Sequence, residues 1–187
     1  MGESTIALLG LVVTVLLAVL GWLFVFLNGR ADAARAARLE RIDRQLRDLY
    51  GPLYVRLEAG NRVWRAFWAA HRPAHGADRY FGPGLELSEA ERATWRLWMK
   101  HVFEPMNAAA ETTILQHVDL LESDAIPDAF VDALAHIAAF RAVLARWEVG
   151  DFSEHVSVHD WPHAGLMAVV EPELQRLKAR QRALLAG

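Results

Sequence analysis

The sequence predicts an all-α protein in which a single N-terminal transmembrane helix precedes an antiparallel helical bundle of about four to five helices. Three observations support this. The stretch Thr5 to Leu27, TIALLGLVVTVLLAVLGWLFVFL, contains no charged residue. Beyond it, apolar side chains return at three- and four-residue steps, the pattern that lines one face of an α-helix. Proline and glycine punctuate the rest, and no stretch reads convincingly as a strand.

A run of that length rises about 34 Å as a helix, enough for a hydrocarbon core of about 30 Å, where only a helix satisfies its own backbone groups. It does not read as a cleaved signal. Met1-Gly2-Glu3-Ser4 holds no Lys or Arg, the apolar run is longer than the roughly 7–15 residues of a signal core, and Gly21-Trp22-Leu23-Phe24-Val25-Phe26-Leu27 is bulky where a peptidase needs small side chains. Residues 1–28 are therefore expected to be a retained anchor and 29–187 a cytosolic helical bundle. Arg30, Arg35, Arg38, Arg41, Arg44 and Arg47 follow the apolar run, and no basic side chain precedes it. The positive-inside rule then puts the N-terminus outside and the body on the cytoplasmic face of the cell inner membrane. The same arginines favour an anionic leaflet, an attraction partly offset by Asp32, Glu40, Asp43 and Asp48.

The chain has 187 residues, a net charge of −3, seven tryptophans and no cysteine. What lies outside the anchor is enough for one ordinary domain. The absence of cysteine excludes disulfides, thiolate zinc sites, iron–sulfur clusters and cysteine nucleophiles. No basic stripe suggests nucleic acid as a partner, and no cofactor is implied.

After the anchor, Leu39, Ile42, Leu46, Leu49, Leu53 and Leu57 predict one long helix from about Ala31 to about Ala70, with a hinge at Asn28-Gly29 and a kink or break at Gly51-Pro52. His71 to Leu87 reads as a loop. Ser88-Glu89-Ala90-Glu91 is a capping box that starts a helix at Glu89, with Trp95, Trp98, Met99, Val102, Phe103 and Met106 on one side, until Pro105 interrupts it. A third cytosolic helix runs from about Pro105 to Glu122 and a fourth from about Pro127 to Glu148. Val149 to His163 loses periodicity and reads as an ordered loop. The last helix covers Ala164 to Leu185, with Pro172 kinking it or setting a later start.

Three groups of residues are candidates for function. His155, His159 and His163 beside Asp151 and Asp160 have metal-ligand chemistry. Pro162 argues against a helix there, and four residues of extended chain span about 13 Å, so the spacing does not gather them. On helical wheels His117 and Arg141 fall among apolar residues, as do Asn61 and His71 near Tyr50 and Tyr54. Buried polar groups need partners, so these are expected to meet one another or an acid such as Glu111 or Asp119, in a network that sets bundle register or in a pocket between helices. Arg96 and His101, in Arg96-Leu97-Trp98-Met99-Lys100-His101, have a spacing that resembles the motif of HEPN ribonucleases, which are also helical bundles. On a regular wheel the two lie about 140° apart. No Ser lies in a G-x-S-x-G context, and no catalytic set is assigned.

Leu49-Tyr50-Gly51-Pro52-Leu53, Trp95-Arg96-Leu97-Trp98-Met99, Pro105-Met106-Asn107, His117-Val118-Asp119-Leu120-Leu121, and Trp147-Glu148 with Gly150-Asp151-Phe152 together resemble a group of small uncharacterised bacterial proteins with one N-terminal membrane helix. The resemblance implies a stand-alone anchored helical domain and brings no catalytic residues with it. The expected function is that of a non-enzymatic, membrane-anchored interaction or scaffold module, whose partners are the lipid bilayer and a second copy or another protein. The rival expectations are an oligomeric membrane pore or defence effector, and a HEPN-like membrane-tethered ribonuclease.

Overall fold

Three helical stretches run through a proline without breaking, two of them by way of a π-helical turn just before it. In the computed structural model, which describes residues 2–72, 81, 86–123 and 125–186, helix α1 (Glu3–Arg44) passes through a π-helical turn, Gln45–Tyr50, into α2 (Gly51–His71). Helix α3 (Glu89–Trp98) passes through a second π-turn, Met99–Phe103, into α4 (Glu104–His117) and a closing 3-10 turn, Val118–Leu120. Helices α5 (Asp128–Glu148) and α6 (His163–Ala186) complete four continuous helical stretches, and the described residues contain no strand.

A proline ring in a regular helix strikes the carbonyl four residues back and lacks the amide that would bond it. Both π-turns end just before such a proline. The Gly51 amide donates to the Leu46 carbonyl ahead of Pro52, and the Glu104 amide donates to the Met99 carbonyl ahead of Pro105. Each bond spans five residues instead of four, so an extra residue enters the helix and the ring meets a widened turn. The break allowed for at Gly51-Pro52 and the interruption expected at Pro105 do not occur, because these turns keep each stretch continuous. A side chain at Gly51 would overlap the Leu46 carbonyl oxygen, so the first turn requires glycine there. The hinge expected at Asn28-Gly29 is also corrected, because α1 continues through both residues.

The remaining boundaries follow local chemistry. Ser88 caps α3: its hydroxyl accepts from the Glu91 amide (3.3 Å), and the Glu91 carboxylate accepts from the Ser88 amide (2.8 Å). The helix expected to reach Glu122 gives way at His117 to the 3-10 turn, whose Leu120 carbonyl accepts from the buried Gln45 amide at 2.7 Å. Pro172 stays inside α6 on its exposed side. The predicted loop His71 to Leu87 lies largely outside the described residues.

Two cores form. One is mainly aliphatic and joins the end of α1, the first π-turn, α2, α4, α5 and α6 through Leu49, Leu53, Ile114, Phe130, Leu166 and Leu177. The other is mainly aromatic and gathers Phe67, Trp95, Met99 and Phe140 with Trp64, Trp98 and Phe103 around them. Phe67 is fully buried among rings, with centroids 5.0 Å away at Trp98 and 5.8 Å at Phe103.

One helix long and apolar enough to cross a membrane lies near the N-terminus. Its most apolar window has a mean hydropathy of 2.8 and none of it is buried. Arg35, whose guanidinium donates to the Leu184 carbonyl (2.9 Å from Nε), ties α1 to the end of α6.

Candidate functional site

Beside the aromatic core, α2, α3, α4, α5 and the segment 156–163 enclose a half-open cavity of about 530 Å³. Helical spacing builds its walls. Arg56, Leu57, Gly60, Asn61 and Trp64 form one stripe of α2, and Met99, Phe103, Met106, Asn107 and Ala110 form a facing stripe. His136 and Phe140, one turn apart on α5, supply a third side, and His159, Asp160, Trp161 and His163 close the fourth.

The fourth side is irregular backbone, which cannot pair its own carbonyls and needs outside donors. Side chains of the helices provide them. The Trp147 indole donates to the Glu154 carbonyl (2.8 Å), the Trp95 indole to the His155 carbonyl (2.7 Å), and His136 Nδ1 to the His159 carbonyl (2.6 Å). The expected ordered loop is therefore pinned at three points. Because a carbonyl can only accept, Nδ1 of His136 carries the hydrogen and Nε2 of the neutral ring is an acceptor.

Burial pulls the pKa of His136 below its ordinary value, against the opposing pull of the His159 carbonyl and Asp160. Burial also lowers that of His163, with Arg65 adding to the effect and Glu58 opposing it, and that of His155, with Arg92 and Arg96 adding to it. These rings are neutral at pH 7. The fixed cation of the cavity is Arg56, half-buried, whose guanidinium donates to the Thr113 hydroxyl (3.1 Å). Thr113 passes the bond on to the Ala109 carbonyl (2.9 Å), and no carboxylate pairs with Arg56 among the described residues.

The histidine series separates: His159 and His163 line the cavity, whereas His155 lies against the Arg92 and Arg96 side with its Nδ1 buried and without a hydrogen-bond partner. No group of three or more His, Asp or Glu among the described residues is arranged to hold a metal.

Of the polar partners expected for His117, Arg141, Asn61, His71, Tyr50 and Tyr54, the acid Glu111 is met by Arg141, and no hydrogen bond joins any two of the six. Tyr50 is buried in the aliphatic core, where desolvation and then Glu173 push its phenol up to about 12. Tyr54 packs against that core, His117 is half-buried at the end of α4, and the exposed His71 packs its ring 4.9 Å from Phe67. Asn61 alone lines the cavity. Arg141 lies on the rim of the α5 stripe and reaches out to pair with Glu111, its side chain 48% exposed. A wheel assigns a face from the Cβ direction alone, and a long side chain at the edge of a stripe can carry its charge outward.

Arg96 and His101 share a second, shallower depression with Lys100, Glu104, Trp147 and Phe152. The π-turn between them narrows the angle expected from a regular wheel. Arg96 is engaged: it pairs with Glu89 at 2.7 Å and lies over the Phe152 ring at 4.1 Å, while His101 is exposed.

Sequence reasoning missed Arg56, Gly60 and His136 as wall residues. The signals were an Arg and an Asn flanking a mid-helix glycine on an apolar stripe, and a histidine in register with Ala133, Ile137 and Phe140. Comparison with protein-family models, curated proteins and solved structures finds no match for this chain.

Proposed function

We propose that this chain is a single-pass membrane protein whose body serves as an interaction or scaffold module, with 1–28 as the anchor and 29–187 as an antiparallel helical bundle on the cytoplasmic side of the inner membrane. One observation carries the reading: a helix of high hydropathy, none of its apolar window buried by the body, runs directly into the body. Leu11, Leu16, Leu20, Trp22, Phe24 and Leu27 are each more than half exposed. Leaving so much apolar surface in water is costly at about 25 cal/mol per Å², so a lipid environment is its natural cover. The arginines from Arg30 to Arg47 set the orientation. A second copy or another protein is the partner. Membrane fractionation, a C-terminal compartment reporter and crosslinking in native membranes test this: membrane retention, a cytoplasmic signal and a crosslinked dimer or heteromer are expected. Freely soluble protein, an external reporter signal, or monomer with no co-purifying partner would overturn it, and a current in planar bilayers would replace it with an oligomeric pore.

A second reading is favoured by the shared depression of Arg96 and His101. In a HEPN-like ribonuclease tethered to the membrane, Arg96→Ala or His101→Ala abolishes RNA cleavage without loss of fold. If the wild-type protein leaves RNA intact, that reading is gone.

A further inference from the structure

We infer that the cavity on the aromatic side of the body is a binding site for an amphipathic monocarboxylate, its acid on Arg56 and its apolar part between Trp64, Phe103 and Met106. Three independent features point to it. First, the space is built in. Gly60 sits in the interior of α2, where glycine weakens a helix relative to alanine, yet a Cβ there would meet only the Met106 Cε, at an ordinary 3.6 Å. Packing does not require that glycine, and its effect is to widen the cavity wall. At about 530 Å³ the space falls within the roughly 300–1,000 Å³ of small-molecule sites.

Second, the described wall carries one fixed cation. Arg56 uses one guanidinium nitrogen on the Thr113 hydroxyl and has no carboxylate partner among the described residues, leaving N–H donors for a ligand. His136 and His163 are neutral, and the acid on the wall, Asp160, is exposed. A cationic ligand meets Arg56, and a polyanion finds no second fixed cation. Third, the length is defined: Trp64 lies eight residues beyond Arg56 on the same helix, about 12 Å. An acyl chain on the order of ten carbons spans that distance, with carbon–carbon bonds of ~1.5 Å. Aryl carboxylates share this chemistry, so the test separates the two.

Full-length protein in nanodiscs is titrated with decanoate, with indole-3-acetate, and with decanol as the uncharged counterpart. Tryptophan fluorescence is read against empty nanodiscs of the same lipid. Trp64, Trp95 and Trp161 on the wall report occupancy. Saturable binding of decanoate or indole-3-acetate is expected, with decanol about tenfold weaker or worse; whichever acid binds more tightly identifies the acyl or aryl class. Arg56→Met should remove the preference for acid over alcohol and leave decanol unchanged. Gly60→Leu should abolish binding of all three with the circular dichroism of the wild type, and Gly60→Ala should retain it. Absence of saturable binding by either acid overturns the proposal, as does wild-type binding of decanol as tight as that of the tighter acid. That last comparison needs no variant, so a misfolded Arg56→Met leaves the test intact.

Discussion

Around Leu49 and Leu177, neither of which has any exposed surface, helices α1, α2, α4, α5 and α6 meet through aliphatic side chains. Around Phe67, equally buried, rings meet at centroid distances of 5–6 Å, and a cavity of about 530 Å³ opens alongside. Branched aliphatic chains interdigitate into close-packed layers, whereas flat rings prefer tilted and edge-on contacts that leave space. The aliphatic core has a helix, α6, on its far side, while the cavity is closed by irregular backbone pinned by ring N–H donors. The closed half is suited to holding the body together and the open half to receiving something.

Substitutions can break or sharpen this contrast. The largest effect is expected in the closed half: Leu49→Ala should cost about 3–5 kcal/mol, and Met106→Ala, at the cavity wall, only about 1 kcal/mol, in chemical denaturation. Equal losses would erase the distinction. Gly51→Ala should destabilise by about 1–3 kcal/mol because its methyl meets the Leu46 carbonyl. Trp95→Phe keeps a six-membered ring but drops the donor to the His155 carbonyl and part of the indole packing, a loss of about 1–2 kcal/mol whose hydrogen-bond share hydrogen exchange should place in the segment around 149–163. Protection loss centred elsewhere would mean that the indole does not pin the segment. Gly60→Ala, nine residues along the same helix from Gly51, should stabilise by about 0.5–1 kcal/mol, opposite in sign.

The smallest effect is on pH dependence. Burial holds the folded-state values of His136, His155 and His163 below the ordinary 6.5, so the unfolded chain takes up protons first as the medium is acidified. Their contribution is fully present above 6.5 and is lost as pH falls through that value towards the folded pKa values. Melting temperatures should decline across that window, and less so in His136→Gln; an unchanged slope would remove His136 from the account.

Much of the helical layout was legible. The capping box at Ser88, the ordered stretch from Val149 and the apolar character of the first helix all follow from local chemistry, which sequence records directly. The behaviour of the helices at Pro52 and Pro105 was not, because an inserted residue leaves no compositional mark and a wheel at 100° per residue assumes its absence. The candidate site was barely legible. Asn61, His159 and His163 stood out by residue type, but what brings them to one cavity is the meeting of α2 and α5 with the 156–163 segment, a contact between residues far apart in the chain. Arg141 was misplaced for the reverse reason: a wheel gives the direction of a Cβ and not where a long side chain puts its charge.

The run Leu8–His71, 64 residues and about 95 Å at 1.5 Å per residue, stays helical through the π-turn before Pro52 and so can act as a lever. Leaning it by roughly ten degrees about residue 28 sweeps its far end, some 65 Å away, through about 10 Å. Anything that grips or turns the greasy end therefore steers the ring-lined chamber bodily, with α2 as the arm that carries the motion.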